Sequence, residues 1–226
     1  MSIPIITFDG PSGSGKGTIA IMLAKKLNYL YLDSGALYRS VALKIFNEYG
    51  NIESKELDYE KIIGNMIIEF RYDSKNDIKI FIDKEECTKQ IRDENIASLA
   101  AKIAKIARVR ESIEKFQKNY VNLPGLVADG RDLGSIVFKN AQIKFFLTAS
   151  IEKRAERRLK QLKDSGISAN LPDLKNKLLE RDEMDMNRSI SPLVKPYDAI
   201  EIDTTKLNIL EVFEKVSMEV NNKLNK

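Results

Sequence analysis

The sequence predicts an α/β protein: a five-stranded parallel sheet flanked by helices, with a small antiparallel insertion. Three observations carry this. The runs Ile3–Phe8, Tyr29–Leu32, Leu126–Asp129, Ile143–Leu147 and Ala199–Ile202 are short and apolar almost throughout, as strands buried on both faces are. Helical patterns lie between them, which is the alternation expected of a parallel sheet with crossover helices. One segment breaks the rhythm: Ile67–Tyr72 and Ile78–Ile82 flank Asp73-Ser-Lys-Asn-Asp77, and Ile78, Ile80 and Ile82 alternate on one face.

Each element has its own justification. After the first run, Ile19, Leu23 and Leu27 repeat at four-residue spacing, one face of a helix. Ala97–Phe116 reads as one long helix, because Ile96, Leu99, Ala100, Ile103, Ala104, Ile106, Ala107 and Ile113 form a wide apolar stripe with no break signal. Asp173–Arg188 and Ile209–Leu224 also read as helical. The interrupting segment reads as an antiparallel hairpin with one wet face. It is either decoration or a mobile flap beside a ligand.

Composition limits the chemistry. The 226 residues are 43% hydrophobic and 31% charged, enough to bury a core and unlike a disordered chain. Lys+Arg at 37 against Asp+Glu at 33 leaves a net charge of +4, which excludes a polycation but not a local anion site. A single cysteine, Cys87, excludes an internal disulfide and a thiolate-cluster metal site. With no histidine, catalysis by imidazole and imidazole-ligated metals are excluded together. The start Met-Ser-Ile-Pro-Ile-Ile-Thr-Phe lacks the positive stretch, long apolar run and cleavage site of a secretory signal, and no run approaches a membrane span. A cytoplasmic protein without membrane attachment is expected.

The strongest local signal is Gly10-Pro11-Ser12-Gly13-Ser14-Gly15-Lys16-Gly17-Thr18, which follows a predicted strand and opens a predicted helix. Its glycines let the backbone turn tightly and leave N–H groups open to phosphate oxygens, and the helix start adds its positive end. Lys16 would reach the β- and γ-phosphates. Gly17 stands where many such loops carry a hydroxyl on Mg²⁺, with Thr18 one place later, so the metal is expected to be held through phosphates, water and a carboxylate. Asp129, ending the third apolar run, is either that metal-orienting acid, acting through water, or a cap on the following turn. The guanine-reading motif of GTPases is not matched, since Thr205-Lys206-Leu207-Asn208 lacks its Asp. The Gly-Lys-Gly-Thr ending points to a nucleoside monophosphate kinase.

The arginines fit phosphoryl transfer. Arg154, Arg157 and Arg158 share one side of a helix. Arg181 and Arg188 lie two turns apart with Asp185 between them. Arg108 and Arg110 flank Val109 at the middle of the expected long helix. Arg39 follows Leu32-Asp-Ser-Gly-Ala-Leu-Tyr38, and Arg131 follows Asp129-Gly130. Guanidinium groups bind phosphate in bidentate fashion and stay charged at any working pH. A single arginine taken alone fits a solvated ion pair as well, and Glu152 and Glu156 offer such pairs. Nucleic-acid binding competes for the basic charge but lacks aromatic interleaving, so no nucleic-acid partner is expected.

Six ordered blocks resemble bacterial cytidylate (CMP/dCMP) kinase of the longer type, a family within the P-loop nucleoside monophosphate kinases. They are Asp9–Thr18, Leu32-Asp-Ser-Gly-Ala-Leu-Tyr-Arg39, Ala107-Arg-Val-Arg110, Ala128-Asp-Gly-Arg-Asp-Leu-Gly134, Phe146-Leu-Thr-Ala-Ser150 with Arg154, and Arg181-Asp-x-x-Asp-x-x-Arg188. The resemblance implies one nucleoside monophosphate kinase unit over 1–226. Its core would be about 1–35, 120–150 and 190–226, its acceptor-binding region with the hairpin about 36–119, and its helical lid about 151–189. It implies Mg²⁺-dependent transfer from ATP to CMP or dCMP by a monomer. By resemblance, Gly10–Thr18 and the lid residues Arg154, Arg157 and Arg158 bind ATP. Ser34 holds the acceptor base, Asp132 and Asp185 its sugar. Arg39, Arg110 and Arg131 take its phosphate, Arg181 and Arg188 are acceptor-side arginines, and Tyr38 lies beside it. Lys16, Arg131, Arg181 and Arg188 are the implied catalytic set. Where relatives often place a cytosine-reading serine, this chain has Ala101, with Ser98 one turn earlier, and the lost hydroxyl weakens discrimination against UMP. Two alternatives stay open: a P-loop kinase for another acceptor such as UMP or AMP, and a non-enzymatic nucleotide switch.

Overall fold

The computed structural model describes residues 3–50, 57–74, 78–164, 166 and 168–224. In chain order the elements begin β1 (Ile5–Asp9), α1 (Lys16–Leu27), β2 (Leu30–Asp33), α2 (Ser34–Tyr49) and α3 (Tyr59–Gly64). There follow β3 (Ile68–Tyr72), β4 (Ile78–Ile82), β5 (Glu85–Glu86), α4 (Glu94–Ile103) and α5 (Ala107–Asn119). The chain then forms β6 (Leu126–Asp129), a π-helical turn over Leu133–Val137, and β7 (Ile143–Thr148). It ends with α6 (Ile151–Asp164), α7 (Leu171–Asn187), β8 (Ile200–Asp203) and α8 (Ile209–Leu224). Five strands form one sheet in the order β2-β6-β1-β7-β8, and β3-β4-β5 form a second. The chain divides into two compact units, one from the segments up to Tyr31 and from Val121 onward, the other Leu32–Tyr120.

The five apolar runs read from the sequence are the five strands of the large sheet, to within about two residues at each end. In the first unit β1 pairs in parallel with both β6 and β7, setting Phe8 opposite Asp129 on one side and Phe145 on the other. Phe8 and Phe145 stack at 4.9 Å between ring centroids. Residues Ile6 to Asp9, Leu126 to Asp129 and Ile143 to Leu147 are all buried, as central parallel strands require. Helix α1 buries Ile19 and Leu23 of the expected stripe, while Leu27 is half-buried. It stops at Asn28, whose left-handed backbone lets its N–H reach the carbonyls of Ala24 and Lys25.

In the second unit Asp33 caps α2 by accepting the Ala36 N–H at 2.8 Å. The hairpin is antiparallel, Ile68 opposite Ile82 through Tyr72 opposite Ile78, and Ile78, Ile80 and Ile82 are buried on one face as their alternation predicts. Its connecting residues 75–77 lie outside the described residues. The third strand, β5, was not expected. It follows a two-residue turn at Asp83-Lys84, both with positive φ, a conformation normally signalled by Gly or Asn. Asp83 holds it by accepting from Lys44 Nζ at 2.7 Å and from the Ile67 N–H at 2.9 Å. Just beyond, Cys87 is a half-buried free thiol whose pKa is raised by burial and by Glu85, Asp83 and Glu86.

The expected single helix over 97–116 is two helices. Ile106 is extended (φ −86°, ψ 117°), so α4 ends at Ile103 and α5 starts at Ala107. Arg108 and Arg110 therefore sit in the first turn of α5, not mid-helix. The guanidinium of Arg110 donates to the Ala104 carbonyl at 3.3 Å, giving that linker carbonyl a charged partner.

Candidate active site

The loop after β1 folds as its glycines require. Gly10, Gly13 and Gly15 all have positive φ. A Cβ on Gly10 would lie 2.1 Å from the Leu147 carbonyl oxygen, so only glycine lets β1 turn away this close to β7. Lys16 opens α1 and donates to the Pro11 carbonyl at 3.1 Å, across the loop. Its pKa falls to about 7. Burial lowers it most, Arg131 and Arg181 add repulsion, and Asp129 and Asp185 oppose them. Arg131 and Arg181 thus lie close enough to Lys16 to disfavour its charge, while the charge of Arg131 itself is favoured by Asp185.

Around the end of β6 the first unit collects the remaining charges. Asp129 accepts from the Tyr31 hydroxyl at 2.6 Å. Arg131 Nε donates to Asp185 Oδ2 at 2.7 Å, and burial opposes a charge that Asp185 in turn favours, with a net rise in the arginine's pKa. Asp185 is held below the usual carboxylate range: burial acts against this, but Arg131, Arg181 and Arg188 outweigh it. Arg188 pairs with Asp132 at 3.5 Å and with Asp185 at 3.8 Å, and it also donates to the Ser191 carbonyl. Arg131, Asp132, Arg181, Asp185 and Arg188 therefore form one network with Lys16.

The three arginines of α6 separate. Arg154 is buried and donates to the Ala149 carbonyl at 3.0 Å and the Ser12 carbonyl at 3.2 Å, while pairing with Asp182 at 2.6 Å. Arg157 donates to the Gly13, Ser14 and Thr204 carbonyls and to the Thr204 hydroxyl. Both brace the phosphate-loop backbone in this conformation. Arg158 instead reaches Gln161 on its own helix at 3.5 Å.

The second unit holds its own group. Gln117 Nε2 donates to Ser34 Oγ at 2.9 Å, with both residues buried. Arg39 pairs with the capping carboxylate of Asp33 at 3.3 Å. Arg110 lies over the Tyr38 ring, 5.6 Å from its centroid. Ala101 is half-buried on α4, and Ser98 is exposed.

The sequence profile of the family described as "Cytidylate kinase" matches residues 6–222. The chain belongs to the cytidylate kinase family. It is 45% identical to the cytidylate kinase of a Marinomonas species over 96% of this chain and 95% of that protein. It is 42% identical to the cytidylate kinase of Colwellia psychrerythraea over 99% of this chain and 98% of that protein. A crystal structure from Thermus thermophilus shares the fold at TM-score 0.53 and 17% identity, over 99% of each chain.

Several residues of this cytidylate kinase family member escape sequence reasoning. Gln117 shows only as a polar residue just past the helix expected over Ala97–Phe116. Asp182, between Arg181 and the spaced acid Asp185, reads as surface until Arg154 is seen on it. Thr204 follows a strand end and joins Arg157 to the loop. Asp9 was legible only as the residue before Gly10. It is buried and accepts the N–H groups of Leu133 and Gly134 at 3.0 and 2.7 Å. Burial raises its pKa to about 6, against those two bonds.

The residues also fit Mg²⁺. Among the described residues no group of three or more His, Cys, Asp or Glu could hold a metal alone. Mg²⁺ commonly binds through one or two carboxylates plus substrate phosphates and water. Asp129 is one buried carboxylate beside the phosphate loop, and a Cβ on Gly17 would lie 3.5 Å from its Oδ2, which places the carboxylate at the start of α1.

Proposed function

We propose that the protein transfers the γ-phosphoryl group of ATP to the phosphate of CMP or dCMP, giving ADP and CDP or dCDP. A phosphate oxygen of the acceptor forms the new bond to the γ-phosphorus as the bond to the β–γ bridging oxygen breaks. The observation that supports this most is the gathering of Lys16, Arg131, Arg181 and Arg188 with Asp132 and Asp185 beside the phosphate loop. Cations gathered at one place favour a bound anion, and a transferring phosphoryl group flanked by two other phosphates is such an anion.

In this reading Gly10, Pro11, Ser12, Gly13, Ser14, Gly15, Gly17 and Thr18 cradle the donor phosphates with Lys16. Arg154, Arg157 and Arg158 belong to a lid over 151–189 that excludes water during transfer. Arg131, Arg181 and Arg188 stabilise charge on the transferring group and the acceptor phosphate. Arg39, Arg110 and Tyr38 complete acceptor binding within a region over 36–119. Asp132 and Asp185 hold the sugar, and Ser34, pinned by Gln117, faces the base. The acceptor phosphate is already an oxyanion, so no general base is assigned. Asp129 would hold Mg²⁺ through water, and the ion, when bound with ATP, neutralises charge on the phosphate oxygens.

The test is ADP production from ATP and Mg²⁺ with CMP, dCMP, UMP, AMP and GMP offered separately. Turnover is expected to be strongest with CMP and dCMP. UMP turnover equal to that with CMP would place acceptor choice outside hydrogen bonding to cytosine, as Ala101 allows. Nucleotide binding without turnover on any acceptor would overturn the kinase reading.

A further inference from the structure

We propose that Asp9 is a positioning residue for acceptor use: its carboxylate fixes the loop that carries Arg131 and Asp132 to the strand that launches the phosphate loop. This rests on the acceptor reading above. Asp9 is the last residue of β1, immediately before Gly10. Its two oxygens accept separate N–H groups, Leu133 at 3.0 Å and Gly134 at 2.7 Å. These are the residues directly after Asp132, and they open the π-helical turn, an irregularity that recurs at functional sites. Two adjacent N–H groups held by one side chain fix both the position and the direction of that backbone.

The close approach depends on Gly134. A Cβ there would lie 2.8 Å from Thr7 Oγ1, 3.2 Å from Lys144 Cδ and 3.3 Å from Asp9 Oδ2. The loop held in this way continues outward into ionic contacts. Arg131 binds Asp185 at 2.7 Å, and Asp132 pairs with Arg188 at 3.5 Å, so Asp9 sits at the root of the network that α7 completes. Its buried carboxylate is disfavoured by desolvation and by Asp132, and favoured by the two N–H groups and by Lys16. A carboxylate kept where burial opposes its charge is costly as mere scaffolding, and such costs gather at functional sites.

The test is Asp9→Asn, read alongside Gly134→Ala. Asparagine offers one acceptor oxygen, so one of the two buried N–H groups loses its partner. Gly134→Ala presses on the same contact from the loop side. In both variants kcat/KM for CMP is expected to fall by about tenfold or more, while KM for ATP stays within about twofold. Amide hydrogen exchange at Leu133 and Gly134 is expected to quicken in Asp9→Asn. Equal losses for ATP and CMP, or unchanged CMP kinetics with quickened exchange, would overturn the positioning role. Unchanged exchange would overturn the clamp itself. Absence of CMP turnover in the unsubstituted protein would instead bring down the acceptor reading and this proposal with it, a result visible before any variant is made.

Discussion

Asp9 and Lys16 are buried ionisable groups seven residues apart whose pKa values move towards each other, and each makes stability depend on pH. Asp9 is raised from 3.8 to about 6 by burial, so its folded form prefers the proton. Its contribution is fully present below about pH 4 and is lost as pH rises to about 6, a change of about 3 kcal/mol. Lys16 is lowered from 10.5 to about 7 by burial and the nearby guanidinium groups. Its folded form prefers to be neutral, so its contribution grows as pH rises from about 7 towards 10.5. Asp185, held low chiefly by Arg131 against the effect of burial, acts only below the Asp9 window, where stability falls with falling pH. Urea midpoints measured from pH 4 to 6 should therefore decline with pH in the unsubstituted protein and decline less in Asp9→Asn. Parallel slopes would show that Asp9 titrates normally. Of these two residues the sequence announces only Lys16. Asp9 owes its role to backbone N–H groups more than a hundred positions away, which no local pattern encodes.

At the scale of elements, α6 and α7 are joined through the buried pair Arg154–Asp182, at 2.6 Å. Arg154 also holds the Ser12 carbonyl, so the pair ties α7 to the phosphate loop. Removing one partner of a buried pair leaves the other charge uncompensated, at about 3–5 kcal/mol. Asp182→Ala should lower unfolding free energy by about that much in urea denaturation, and a loss under about 1 kcal/mol would mean that Arg154 finds another carboxylate. The elements also show where periodicity misleads. The apolar stripe from Ile96 to Ile113 continues across the extended Ile106, so one period spans two helices. The break involves neither Gly nor Pro. Its charged partner is Arg110, which the same stripe gives no reason to turn inward. Strand β5 was hidden for a similar reason: its turn is held by Asp83 through Lys44 and Ile67, both distant in sequence.

For the whole molecule, the sheet was legible because each central strand is buried on both faces and therefore apolar at most positions. The phosphate loop was legible because positive φ requires glycine at Gly10, Gly13 and Gly15. Partner choices among arginines were not, since an arginine bracing a loop carbonyl and one awaiting phosphate have the same spacing. Ligand binding should register in the stability of the fold. ATP at about one hundred times its Kd stabilises a protein that binds it only when folded by about 2.7 kcal/mol. Lys16→Ala should abolish most turnover and most of this stabilisation while the chain without ATP still unfolds cooperatively. Full retention of both would remove Lys16 from the donor site.

The lone half-buried thiol has a practical consequence. Cys87 follows β5, and its N–H donates to the Ile80 carbonyl at 2.9 Å, so it is tethered to the small sheet. A raised pKa keeps it mostly protonated and slow to react at neutral pH. Because the chain has no second cysteine, alkylation proceeds at one address without any engineering. A label placed there reports on the small sheet of the Leu32–Tyr120 unit, to which Cys87 is tethered.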